Sequence, residues 1–270
     1  MKKFQSRLLV AALFHSVLAC ATFGAVVAPA MGAEPAPPAA AAVYNVPAGT
    51  PAYVRAAVES ANRSTEQKAD DVNRKPAELL MISGVKPGDT VVEFASFGQY
   101  FTALLSDIVG SKGSVLMLDL PYTEPRAGAA SRSFAAAHPN SKYVLVDYNK
   151  VELPSDVDIV FNVLYYHDLP LNNVDTAALN AKIFKALKPG GVFFIVDHNA
   201  APGSGTRDTK ALHRIDPAVI RKEVTAAGFE LVEESNLLAR PGDDHTKMVF
   251  TPGVRRLTDQ TVFKFRKPKA

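Results

Sequence analysis

The chain has 270 residues, 30 Lys+Arg against 27 Asp+Glu, a formal net charge of +3 and 47% hydrophobic residues. That balance suits one globular domain with a full core, and it excludes the concentrated basic footprint of a nucleic-acid binder. Cys20 is the only cysteine, so the chain beyond its N-terminal segment has no disulfide and no thiol nucleophile.

In chain order, Met1-Lys-Lys and Arg7 lead into the apolar run Leu8–Phe14 and then into small residues, the layout of a secretory signal. Cleavage after Ala28-Pro-Ala30 or Met31-Gly-Ala33 makes residues 1–33 a signal peptide and the protein periplasmic or secreted. Val17-Leu-Ala-Cys20 resembles a lipoprotein box, which would instead anchor the chain through a lipid on Cys20. An uncleaved anchor is a third reading, since the apolar stretch continues to Val27, but His15, Ser16 and Gly24 count against it. A membrane is thus expected as a partner only if Cys20 is lipidated or the signal is retained. Residues 34–51, rich in Ala and Pro, read as a linker, and residues 52–270 as one α/β domain.

A helix is expected from Tyr53 and another from Pro76, with Gly84 closing the second. Strands and helices then alternate: strand Thr90–Ala95, helix Tyr100–Val109, strand Ser114–Leu120, helix Arg126–His138, strands Lys142–Asp147 and Val157–Leu164, helix Thr176–Leu187, strand Val192–Asp197. Runs such as Val192-Phe-Phe-Ile-Val196 lack polar alternation, so they suit strands covered on both faces. The fold class is α/β, open and doubly wound with a mostly parallel, Rossmann-like sheet. A helix at Pro217–Ala227 and strands Phe229–Leu238 and Gln260–Lys267 close the chain. With no helix between them, those two strands read as an antiparallel edge hairpin.

Ligands of such sheets bind beyond the carboxyl ends of the strands, where strand order reverses. The candidates there are Glu93 with the turn Ala95-Ser-Phe97-Gly98-Gln99, then Asp119, Asp147, the Asn162–Asp168 passage and Asp197-His198. Asp119 stands where a carboxylate accepts from a ribose diol, and Asp147 where one accepts from an adenine amino group. Strand-end aspartates also cap helices or face water.

RKPAEL from Arg74, GVKPG from Gly84, LKPGG from Leu187, LHRIDP from Leu212, DDHT from Asp243 and TDQ from Thr258 together resemble a bacterial family of exported, predicted class I S-adenosylmethionine-dependent methyltransferases. The resemblance covers about Arg55 to Pro268. It implies a seven-stranded methyltransferase-like sheet, S-adenosylmethionine as cofactor, and Glu93, Ala95, Phe97, Gly98, Asp119, Asp147 and Asn162 as its binding positions. The family's first loop is a glycine run, whereas here Phe97 and Gln99 flank a single Gly98. That puts a large ring where the methionine part of the cofactor would lie.

Histidine stands beside acid at His167-Asp168, Asp197-His198, His213 with Asp216, and Asp244-His245; only His138, of those after the signal, sits elsewhere. His167 and His198 end neighbouring strands. A histidine whose second nitrogen is held by a carboxylate makes a general base, so His167, His198 and Asp168 are the catalytic candidates. Each pair taken alone is equally a loop cap. No tight ligand spacing of the HExxH type occurs, so no metal site is assigned. The functional expectation is methyl transfer to a small-molecule acceptor. The alternatives are an exported ligand-binding pseudoenzyme with a degenerate loop, or a metal-assisted hydrolase on the same histidine-rich edge.

Overall fold

The computed structural model describes residues 43–269. The signal, the Cys20 box and the linker up to residue 42 lie outside the described residues. What remains of the linker, from Val43 to Pro51, is part of the domain surface. Tyr44 and Val46 pack on the core, and the Tyr44 hydroxyl donates to Glu78 and accepts from the Ala77 amide. Alanine and proline content, which suggested a free tether, gave no warning of this anchor.

Four helices precede the sheet: α1 (Ala52–Glu59), α2 (Thr65–Ala69), α3 (Asp71–Arg74) and α4 (Pro76–Ser83). Helix α2 starts with a reciprocal capping box between Ser64 and Gln67. Helix α4 has Pro76 in its first turn and Gly84 at φ 79° as its cap, the two places where these residues cost least. There follow β1 (Thr90–Phe94), α5 (Tyr100–Val109), β2 (Ser114–Asp119), α6 (Ala129–Ala137), β3 (Ser141–Leu145), β4 (Val157–Val163), α7 (Thr176–Ala186), β5 (Leu187–His198), α8 (Thr209–Leu212), α9 (Pro217–Ala226), β6 (Glu230–Ser235) and β7 (Gln260–Arg266).

The seven strands lie in the order β3-β2-β1-β4-β5-β7-β6. All neighbours pair parallel as far as β5, and β7 runs antiparallel to both β5 and β6. The closing strands do pair, but β7 inserts between β5 and β6, so β6 with its mostly exposed residues forms the edge. Strand β5 is longer than its apolar run suggests. Leu187 already pairs with Val157, and Gly190 at φ 82° carries the chain through a register shift into Val192. The helix expected from Arg126 opens instead as a π-helical turn at Glu124–Gly128.

Successive strand residues alternate between two cores. One face, with Val92, Phe94, Val160, Phe193 and Ile195, packs on α7 and α9. The other, with Val91, Met117, Phe161, Phe194 and Val196, packs on α1, α4 and α5. Side chains of this kind each stabilise the fold by about 1.5–3 kcal/mol relative to exposure. Both faces being covered, the open positions are at the strand ends. The strand order reverses between β1 and β4, which places a cleft at their carboxyl ends.

Candidate active site

A cavity of about 600 Å³ occupies that cleft. Glu93, the turn from Ala95 to Gln99, Gln67, Arg74, His167, Asp168, His198, Phe250, Arg255 and Arg256 are among its walls.

The first wall is the glycine-poor turn. Ala95 at φ 59°, Gly98 at φ 87° and Gln99 at φ 49° are all left-handed, so two residues with side chains hold conformations usually left to glycine. The turn is over-determined by bonds. The Ala95 amide donates to the Leu118 carbonyl at 2.9 Å and to the Tyr148 hydroxyl at 3.2 Å. Gln67 Nε2 donates to the carbonyls of Gly98 and Gln99, at 3.3 and 3.1 Å. Phe97 stands on the cavity wall, 42% exposed, and its ring meets Tyr165 edge-on, centroids 5.9 Å apart.

Glu93, at the end of β1, accepts from Thr102 Oγ1 at 2.6 Å. Burial pushes its carboxyl up to about 8, against the Thr102 bond that favours the charged form. Asp119 lies at the end of β2 as expected, yet it is fully buried beneath the turn. Its Oδ1 accepts from the amide of Ser96 at 2.7 Å and from Ser96 Oγ at 3.1 Å, while its Oδ2 has no partner. Burial raises the Asp119 carboxyl, and the Ser96 bonds oppose the rise.

Asp119 is thus off the cavity wall, and two further expected cofactor positions lie elsewhere. Asp147 stands beyond the end of β3, where it closes a turn by accepting from the Asn149 amide at 3.0 Å and pairs with Lys150 at 3.4 Å. It does not line the cavity. Asn162 is in register with Phe94 and Ile195, on the α7/α9 face of the sheet. It is 0% exposed, its amide oxygen and nitrogen have no partners, and it too is absent from the cavity wall. Strand alternation turns its side chain sideways into the core, away from the strand end.

The histidine edge is assembled by residues distant in sequence. His167 and His198 line the cavity with ring centroids 5.7 Å apart. Asp197, 1% exposed, accepts from the His167 amide at 2.7 Å and from the His198 amide at 2.8 Å. Its Oδ1 lies 2.6 Å from His167 Nδ1. Burial opposes a charge on His167, but Asp197 and then Asp168 outweigh it and hold the imidazole above its usual value. Burial acts on Asp197 in the opposite direction to its partner, and the His167 charge and hydrogen bond keep the carboxyl below the usual range. His198 goes the other way: burial, reinforced by His167, pushes it down to about 3, so it is neutral, with Nδ1 2.7 Å from Thr258 Oγ1.

The pairings read from adjacency are corrected. His213 partners Asp168 at 2.9 Å, not Asp216, which caps α9 by accepting from the Ala218 amide. His245 reaches Asp259 at 3.1 Å, away from the cavity, while Asp244 binds Thr246. Arg214, next to His213, is fully buried, with both terminal nitrogens on Asp243 at 2.8 and 2.9 Å. Arg74, which opens the RKPAEL motif, joins the wall, as do Gln67, Phe250, Arg255 and Arg256, which had no signal in sequence. Phe250 and both arginines arrive on the long excursion between β6 and β7.

A sheet of this order with one reversed strand beside the edge, and a ligand cleft over β1 and β4, defines the class I methyltransferase-like fold. The structure superposes on a SAM dependent methyltransferase from Aquifex aeolicus with a TM-score of 0.53 at 16% identity, covering 73% of this chain and 92% of that one. It superposes equally on the cyclase SpnF, with a TM-score of 0.54 at 15% identity over 78% of this chain and 86% of the other. The fold alone therefore does not fix the reaction.

Among curated proteins, the chain is 32% identical over 125 residues to the chloroplastic 2-phytyl-1,4-beta-naphthoquinone methyltransferase of Arabidopsis thaliana, covering 46% of this chain and 47% of the relative. It is 25% identical over 180 residues to the ubiquinone/menaquinone biosynthesis C-methyltransferase of Photorhabdus laumondii, covering 65% of this chain and 70% of the relative. The chain thus spans about half the length of the first of these relatives. No family model matches it.

Proposed function

We propose that the protein is an S-adenosylmethionine-dependent methyltransferase acting on a small, hydroxylated acceptor. The observation that carries the reading is the cavity at the β1/β4 reversal, with an acid on one wall and a carboxylate-held histidine on the other. The methyltransferase relatives support it. Two of them are named for quinone substrates or quinone biosynthesis, and aromatic Tyr100, Phe101 and Phe250 on the cavity wall suit an aromatic, quinol-like acceptor.

The residues present fit the cofactor. Glu93 offers a cavity carboxyl for an ammonium group, which would meet it as a carboxylate by displacing the proton that burial favours. Asp119 Oδ2, buried and unpartnered, offers an acceptor for a sugar hydroxyl once the turn above it lifts. Bound there, the cofactor would supply an electrophilic methyl group on sulfur. The protein's part is to position the acceptor and take its proton. Asp197 fixes His167 with Nδ1 protonated, which leaves Nε2, 3.3 Å from Asp168 Oδ1, as the proton acceptor. His198, kept neutral, adds no positive charge beside a cationic cofactor.

The covered carboxylate of Asp119 favours a second reading, a binding protein whose turn no longer opens. Calorimetric titration with S-adenosylmethionine and S-adenosylhomocysteine separates the two. The expected result is saturable heat for both ligands, lost in Glu93→Ala; no heat at millimolar ligand leaves only the second. The signal layout of residues 1–33 adds export to the proposal. Fractionation of cells expressing the full chain tests it, with recovery in the cytoplasm counting against it.

A further inference from the structure

The corner formed by His167, Asp168 and His213 goes beyond what methyl transfer requires. Nδ1 of His167 is taken by Asp197, so only its Nε2 is available, and that atom lies 3.3 Å from Asp168 Oδ1. Nδ1 of His213 lies 2.9 Å from the same oxygen. One ligand atom from each residue falls within 4.8 Å of the other two, the spread of donors around a single ion. The rings of His167 and His213 are perpendicular, with centroids 5.5 Å apart, so their nitrogens approach the corner from different directions.

The support behind this corner is that of a metal ligand. His167 and Asp197 are both nearly fully buried, and Asp197 is itself held by two backbone amides. Carboxylate–histidine pairs of this kind orient the ring and raise its basicity toward a metal. His167 and Asp168 line the cavity, so an ion there would keep open positions toward a ligand. Two imidazoles and one carboxylate suit zinc, iron or cobalt, and suit calcium or magnesium poorly.

We infer that His167 Nε2, Asp168 and His213 form a binding site for one divalent first-row transition ion, open to the cavity, where the ion takes a water or an oxygen of a chelating acceptor. Metal binding does not depend on the methyltransferase reading. Its consequence for that reading is that a hydroxyl bound to the ion is acidified by coordination, and His167 then acts as ligand and not as base.

The test is titration of untagged protein with Co²⁺, read by visible d–d absorption, alongside metal analysis of protein purified without chelators. The expected result is saturation at one ion per chain, with binding weakened at least 10-fold in His213→Ala. His213→Asn, which keeps the left-handed backbone accessible at φ 53°, should lose binding equally and so exclude a folding defect. Asp197→Asn should weaken binding about 10–100-fold as the support behind His167 is lost, while His138→Ala leaves it unchanged. No absorption band in the wild type, or a band that survives both His213 variants, overturns the site. Neither result depends on S-adenosylmethionine binding, which calorimetry measures separately.

Discussion

Asp197 holds His167 at 2.6 Å through Nδ1 and again through its backbone amide, fixing the ring's orientation and its proton at once. In metal-free protein this pair sets the imidazole above 6.5, with burial opposing and the carboxylates prevailing. A raised value means the proton contributes stability that is full below pH 6.5 and is lost as pH rises through the folded value. Asp197→Asn removes the prevailing charge and leaves burial, the largest influence, opposed only by Asp168, so the His167 titration followed by NMR should move down. A titration that stays in place would mean the carboxylate does not govern the ring.

Glu93 gives the same sign from a different cause, burial of an acid. Its carboxyl stands at about 8 against an ordinary 4.5, so the folded chain keeps a proton that the unfolded chain releases. Stability contributed by that proton is full at acid pH and declines as pH rises from 4.5 toward 8. Glu93→Gln is neutral throughout, so its melting temperature should gain on the wild type with rising pH across that window. A difference independent of pH would show that Glu93 is ionised in the folded protein.

Arg63, Asp71 and Tyr100 form a buried knot behind the cavity. Arg63 donates to both oxygens of Asp71 at 2.8 and 2.5 Å, and the Tyr100 hydroxyl donates to Oδ1 at 2.5 Å. It ties α3 to the first residue of α5, beside Gln67, which holds the turn carbonyls. Asp71→Ala leaves a buried guanidinium unpaired and should cost about 3–5 kcal/mol in urea unfolding. Tyr100→Phe removes one hydrogen bond and should cost about 1 kcal/mol. Equal losses would mean the charge pair is no more important than the hydroxyl.

The strand ends were legible because apolar runs and acid residues mark them locally: Glu93, Asp119, His167 and His198 all lie where their strands suggested. What escaped was whatever depends on lateral direction or on distant segments. Asn162 is at the right strand and turned sideways by the two-residue period, a consequence of register that polarity does not reveal. Asp168 and His213 are 45 positions apart and meet only because the chain after β5 folds back over the strand end. The turn conveys the converse lesson. It has one glycine, Gly98, yet Ala95 and Gln99 also keep the glycine shape, because hydrogen bonds to Tyr148 and from Gln67 impose it.

Ala95 carries that imposed shape at φ 59°, where an L-residue costs about 1–2 kcal/mol. Ala95→Gly relieves the strain against roughly 0.5–1 kcal/mol of added chain entropy, so it should leave stability unchanged or slightly higher. Ala103→Gly, in the middle of α5, has no strain to relieve and should cost about 1 kcal/mol or more. Equal losses at the two positions would show that the turn relaxes without its left-handed residue.

Phe97 decides what this shape means for ligand binding. Its edge contact with Tyr165 and the two Ser96 bonds hold the turn down over Asp119. An aromatic pair of this kind contributes about 0.5–1.5 kcal/mol, and Phe97→Gly removes it while leaving the Ser96 bonds in place. If lifting the turn admits S-adenosylmethionine to Asp119, that energy returns as affinity, and calorimetry should show binding about 2–13-fold tighter. Binding weakened by the same factor would instead make the ring a contact of the ligand. An unchanged affinity would place the ligand away from the turn and its buried carboxylate.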